Sequence, residues 1–241
     1  MCKAASFIVV KGEPPKWSRK SDSHEVIRDE HKLPHNTDTL TANVQVEITP
    51  PNETDYETPL SKWVFRVDQD RLPKWWDAKE AEAAVRKELK EWAKAKLVRA
   101  GEKRDVNDGD FVHAVCGGTV NAVCGGTVNE VRGGTVNVVW GGTVNEVWGG
   151  TVNVVWGGTV NEVWGGTVNE VWGGTVNAVC GGTVNEVWGG TVNEVWGGTV
   201  LFRIGFKVKF SGLFSVIINR IGNVAKCHVG TDVERVVTDK D

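Results

Sequence analysis

From residue 119 to residue 198 the chain repeats one eight-residue pattern of polar and apolar positions, Thr-Val-Asn-Glu-Val-Trp-Gly-Gly. Ten unbroken copies start at Thr119 and at every eighth residue up to Thr191, and Gly109 to Cys116 is one decayed copy before them. Two glycines in every eight residues, with β-branched Val and Thr between them, exclude helix and leave strand. A meander of six-residue strands with Gly-Gly hairpin turns would place Val, Glu and Trp on one face and Thr, Asn and Val on the other. Neither face would become apolar. The copies point to a different packing. Thr, both Val, Asn and both Gly never change, whereas the fourth position is Glu, Ala or Val and the sixth is Trp, Cys or Arg. Positions four and six are therefore expected to face solvent and the two valines to face in, which needs a bend after Asn. This is the coil of a β-solenoid, with rungs stacked at about 4.8 Å. Eight residues close too tightly for a core, so two octads, sixteen residues, are expected per coil. Val138 and Val154, the valines at position four, are sixteen apart and agree. Ten octads then predict about five coils, roughly 24 Å of rod.

Before the repeat the pattern changes. Phe7 to Val10 reads as a strand, and Ser21 to Leu33 as a short helix stopped by Pro34. Val44 to Ile48 and Trp63 to Val67 alternate with period two and read as strands, separated by the Pro- and Thr-rich loop of residues 49–59. Asp77 opens the strongest helix, with Glu80 three residues on and Ala81, Val85, Leu89, Trp92 and Leu97 along one face. Gly101 suits its C-terminal stop. After the repeat, Phe202, Ile204, Phe206, Val208 and Phe210 alternate with Arg203, Lys207 and Lys209, and Val233 and Val236 repeat the spacing of the octad valines. The expected organisation is an α+β N-terminal domain (residues 1–104), an all-β solenoid (105–200), and degenerate rungs with a β cap (201–241).

Composition narrows the function classes. With 28 basic and 31 acidic residues among 241, the chain is near neutral, a poor match to a phosphate-driven nucleic-acid binder. The apolar run near the N-terminus is too short for a signal-peptide core, and no stretch approaches the roughly 18 apolar residues of a membrane span. A cytoplasmic protein with no membrane or nucleic-acid partner is the expectation. Five scattered cysteines with no CxxC pair read as free thiols.

The sequence holds no nucleotide-binding or nucleophile-elbow motif. His24, His31 and His35 with Asp29 and Glu30 contain metal-ligand types, but Pro34 separates the last two histidines and spoils helical ligand spacing, so no metal or other cofactor is expected. Glu130, Glu146, Glu162 and Glu194 fall in one column. Glycoside hydrolysis needs two carboxylates in unlike environments, and a periodic ladder makes them alike, so a solvated face is expected and no catalytic residue is assigned. The candidate binding surfaces are the ladder Trp140, Trp148, Trp156, Trp164, Trp172, Trp188 and Trp196, and the columns of Thr135, Asn137, Thr143, Asn145, Thr151, Asn153, Thr159, Asn161, Thr167 and Asn169. Stacked Asn side chains are expected to hydrogen-bond along the axis and stacked Trp rings to overlap. Stacked Glu should repel.

The order aromatic, Gly, Thr, aliphatic, polar in Trp148-Gly-Gly-Thr-Val-Asn153 resembles the octad repeat of bacterial ice-nucleation proteins. That resemblance implies a solenoid and an ice-facing Thr-x-Thr column, but here the second Thr is Asn in every copy. The flanks Lys16 to His24, Val67 to Asp70 and Pro73 to Trp76 resemble uncharacterised bacteriophage and gut-bacterial proteins with solenoid tails. The expected function is a non-enzymatic repeat scaffold whose Thr/Asn and Trp ladders bind or self-associate, as a homodimer through the solenoid or on a glycan. Ice or ordered-water binding is one alternative. An enzyme in residues 1–104 with the solenoid as a targeting arm is another.

Overall fold

A computed structural model describes residues 5–34, 42–202, 209–221, 224–229 and 233–238, with side chains described up to residue 201. The chain divides into two compact units, Met1–Leu97 and Val98–Asp241.

In the first unit β1 (Ser6–Val10), β2 (Asn43–Thr49) and β3 (Val64–Val67) form an antiparallel sheet in the order β1-β2-β3. Helix α1 (His24–His31) is shorter than the apolar pattern suggests, because Ser23 is its N-cap and Lys32 takes the left-handed conformation that closes it. Helix α2 (Ala78–Lys96) starts as expected: Asp77 Oδ1 accepts from the N–H groups of Lys79 (2.9 Å) and Glu80 (3.0 Å). Its buried stripe includes Ala81, Val85, Leu89 and Trp92. Gly101 does not end it. The helix stops at Lys96 with Leu97 already extended, and Gly101 sits at positive φ in a turn closed by the Glu102 N–H to the Arg99 carbonyl. Trp92 packs edge-on against the fully buried Trp63 and donates from Nε1 to Asp22 Oδ1. The same carboxylate accepts from Lys96 Nζ at 2.7 Å, a buried ion pair in the core. Burial pulls the Lys96 pKa down from its ordinary value against the opposing pull of Asp22.

The second unit is a parallel β-solenoid of about six turns. It opens with β4 (Leu97–Val98), β5 (Lys103–Val106) and β6 (Phe111–Val115). The octads follow as β7 (Thr119–Val123), β8 (Thr127–Val131), β9 (Thr135–Val139), β10 (Thr143–Val147), β11 (Thr151–Val155), β12 (Thr159–Val163), β13 (Thr167–Val171), β14 (Thr175–Val179) and β15 (Thr183–Val187). Each strand pairs in parallel with the one two ahead: Thr143 faces Thr159, and Val144 faces Val160. The repeat distance is therefore sixteen residues, two octads per coil. One face carries the even-numbered strands and the other the odd, and β16 (Thr191–Phe202) joins them by pairing with both β14 and β15. The turn beyond the five that ten octads supply comes from residues 98–106, which lack the phrase, and the decayed copy at 109–116; both keep the register, with Lys103 opposite Thr119 and Phe111 opposite Thr127.

The core is a double column of valine, running from Val98 to Val200 with side chains fully buried. Every octad has its two valines inside and its Thr, Asn and fourth residue at the surface, as the bend after Asn requires. The corners explain the glycines. A Cβ on Gly158 would lie 2.3 Å from the Gly142 carbonyl oxygen of the rung below and 2.5 Å from Val139 Cγ1, so only hydrogen fits. Gly174 adds a positive φ of 72°. Backbone bonding continues through the corner: the Val131 carbonyl accepts from Trp148 N–H at 2.9 Å and Gly149 N–H at 3.3 Å.

Beyond the octads β17 (Lys209–Ile221) pairs in parallel with β16, and β18 (Val224–Val229) and β19 (Val233–Thr238) add antiparallel. Of the alternating strand expected over residues 202–210, Arg203, Ile204, Phe206, Lys207 and Val208 lie outside the described residues.

Candidate functional site

The sixteen-residue coil splits every ladder into two columns on opposite faces. Trp140, Trp156, Trp172 and Trp188 share the odd face, and Trp148, Trp164 and Trp196 the even one. All seven are exposed, from 39 to 54%. On the odd face the column is unbroken: centroids are 5.6, 5.5 and 5.4 Å apart and the rings are parallel to within 14°. On the even face Trp148 and Trp164 stack at 5.2 Å. The column is then interrupted, because the octad at 175–182 carries Ala178 and Cys180 where Glu and Trp usually stand. Below Trp148 the guanidinium of Arg132 takes the place of an indole, 5.6 Å from the Trp148 centroid, and Arg132 Nε donates to Glu130.

The Glu column does not only repel. In five octads the indole Nε1 donates to the carboxylate two residues earlier: Trp148 to Glu146 (2.6 Å), Trp164 to Glu162 (2.7 Å), Trp172 to Glu170 (2.6 Å), Trp188 to Glu186 (2.8 Å) and Trp196 to Glu194 (2.9 Å). Each bond is charge-assisted and fixes the ring's rotation. This partnership was missed at the sequence level, although its signal was there. Residues two apart on a strand share a face, and Glu with Trp is the commonest pairing at positions four and six.

The asparagines form two hydrogen-bonded ladders. Asn145 Nδ2 donates to Asn129, Asn161 to Asn145, Asn177 to Asn161 and Asn193 to Asn177 on the even face, at 2.7–3.1 Å. Asn153, Asn169 and Asn185 each donate to the residue sixteen earlier on the odd face, at 2.8–3.1 Å. Thr135, Thr151 and Thr167 line up beside Asn137, Asn153 and Asn169 on the odd face, and Thr143 and Thr159 beside Asn145 and Asn161 on the even one. The even face also has a trough of about 580 Å³ between the Asn column and Glu146, Glu162 and Glu194.

In the N-terminal unit the three candidate histidines separate. His24 is buried with Nε2 3.2 Å from the Val46 carbonyl, His31 Nε2 lies 3.0 Å from the Trp17 carbonyl, and His35 lies outside the described residues. His24 instead meets Glu47 of β2 and Asp68 just after β3, with Asp68 Oδ2 3.4 Å from Nδ1. The β2–β3 register sets Glu47 beside the start of the Asp68 segment, and α1 brings His24 to them through its contact with the Val46 carbonyl. A separate cleft of about 480 Å³ lies between the end of β1 and the start of α2, bordered by Trp75, Trp76 and Glu80. No helix among the described residues is long and apolar enough to cross a membrane.

Comparison with family models, curated proteins and solved structures finds no match to this chain.

Proposed function

We propose that this protein is a non-enzymatic repeat scaffold: a small α+β domain carries a solenoid rod capped by β17 to β19, and the rod recognises partners through its tryptophan columns. The unbroken stack of Trp140, Trp156, Trp172 and Trp188 carries the reading. A contiguous row of exposed indoles on a rigid support is the kind of apolar surface that marks an interaction site. Its most direct partner is a second copy, whose identical spacing lets two columns pack rung for rung. The Asn ladders serve cohesion of the rod, because their amides are already bonded along the axis. This assigns recognition to tryptophan and not to an ice-facing Thr-x-Asn row. Size-exclusion with light scattering on the full chain should give a dimer, and Trp156→Ser with Trp172→Ser should give a folded monomer. A monomeric wild-type chain at about 100 µM, or a variant that stays dimeric, overturns the self-association reading.

A further inference from the structure

The interruption of the even-face column is a built gap. Trp164 and Trp196 stand two rungs apart with Ala178 and Cys180 between them, and together with Glu162 and Glu194 they border a cleft of about 430 Å³. At about 4.8 Å per rung the two rings are about 9.6 Å apart along the axis, room for the single planar group that the phrase supplies on other rungs. The walls are two indole faces. Each neighbouring carboxylate is held beside them by its own rung's indole N–H, and no basic side chain lines the cleft. The negative potential there is felt by the floor: burial first, then Glu162 and Glu194, push the Cys180 thiol above its ordinary pKa.

The same column shows what can replace an indole. At Arg132 a guanidinium lies on the face of Trp148 while a glutamate of its own strand, Glu130, accepts from it. A flat cation thus satisfies both the aromatic and the acidic element of a rung. We propose that the cleft between Trp164 and Trp196 is a binding site for a planar, delocalised cation, which inserts at Cys180 as an additional layer of the column. The two indoles contribute stacking and cation-to-ring attraction on both sides, and Glu162 and Glu194 neutralise the charge. The second octad with Ala and Cys, at Ala122 and Cys124, is an internal control: Trp140 lies one rung ahead on its face, but the preceding strand, β5, has no Trp. This site stands apart from the self-association reading, which uses the opposite face.

Titration of the full chain with N-methylquinolinium and with methylguanidinium, followed by tryptophan fluorescence and calorimetry, tests the proposal. One saturable site is expected, with neutral quinoline at least ten-fold weaker. Preference for methylguanidinium would identify an arginine side chain as the natural source, and preference for the quinolinium a cationic heteroaromatic compound. Cys180→Trp restores the common residue of the phrase and fills the cleft, so binding should be lost while the melting temperature is held or raised. Cys124→Trp should leave binding intact, and Glu162→Gln with Glu194→Gln should weaken it at least ten-fold. Unchanged binding by Cys180→Trp, equal binding of quinoline, or quenching without saturation overturns the proposal.

Discussion

The two units reach stability by opposite routes. In residues 1–97 the core mixes many residue types in individual contacts: Trp63 meets Trp92 edge-on, Trp92 bonds Asp22, and Asp22 pairs with Lys96 across 74 positions of sequence. In the rod one residue type fills the core and each rung meets mainly the rungs before and after it. Energy in the first unit is concentrated in a few irreplaceable side chains, whereas in the second it accumulates by repetition. Damage should therefore be global in one unit and local in the other.

The sharpest way to break this comparison is Trp92→Ala, which removes a large buried ring and leaves Asp22 without an indole donor. A loss of about 4 kcal/mol is expected, read as faster hydrogen exchange throughout α2 and the sheet together. Exchange confined to the neighbourhood of Trp92 would show that the unit is not one cooperative block. Next in size, Val152→Ala and Val168→Ala should each cost about 2 kcal/mol, equal to each other within about 0.5 kcal/mol, since both sit on interior odd-face rungs with the same neighbours. Unequal costs would mean that the rungs are not interchangeable. The smallest effect is in alkaline pH. The folded-state pKa of Lys96 is depressed, so the unfolded chain binds more protons as pH approaches 10.5 and the first unit gains stability as pH rises there. The Cys180 pKa is raised, so the folded rod holds its proton longer than the unfolded chain and loses stability as pH climbs past 9.0. Lys96→Met and Cys180→Ala should each flatten the slope of their own unit in urea melts at pH 8 to 10, and parallel slopes in variant and wild type would contradict these signs.

Much of the rod was legible because the sequence contains its own comparison set. Ten copies separate fixed from variable positions, and this gives the inward valines, the sixteen-residue coil and the Asn and Trp stacking directly. Residues 98–106 were not recognisable as a rung because they share its register without its phrase, and only pairing of Lys103 with Thr119 reveals them. The helix at Asp77 was legible from its cap and stripe, but its end was not, since Leu97 passes straight into strand without glycine. His24, Glu47 and Asp68 are 23 and 21 positions apart in sequence and meet through the β2–β3 register and the placement of α1 against β2, which no local pattern encodes. The gap at Cys180 was visible as a variation. Its neighbours were not, because only the sixteen-residue coil places Trp164 and Trp196 around it.

The identity of the octads has a consequence for how the chain finds its place. Any octad can stack on any other with nearly the same fit, so the repeat by itself does not number its own coils. A molecule could omit one full turn, extrude sixteen residues as a loop, and still satisfy the valines, glycines and asparagines of the remaining turns. What distinguishes one position from another is the irregular copies: Phe111 and His113 at the start, Arg132, Val138 and Val154 at the fourth position, and the Ala-Cys octads at 122–124 and 178–180. These act as landmarks on an otherwise featureless ruler. A chain stripped of them, every copy made Thr-Val-Asn-Glu-Val-Trp-Gly-Gly, would keep its rungs and lose its count.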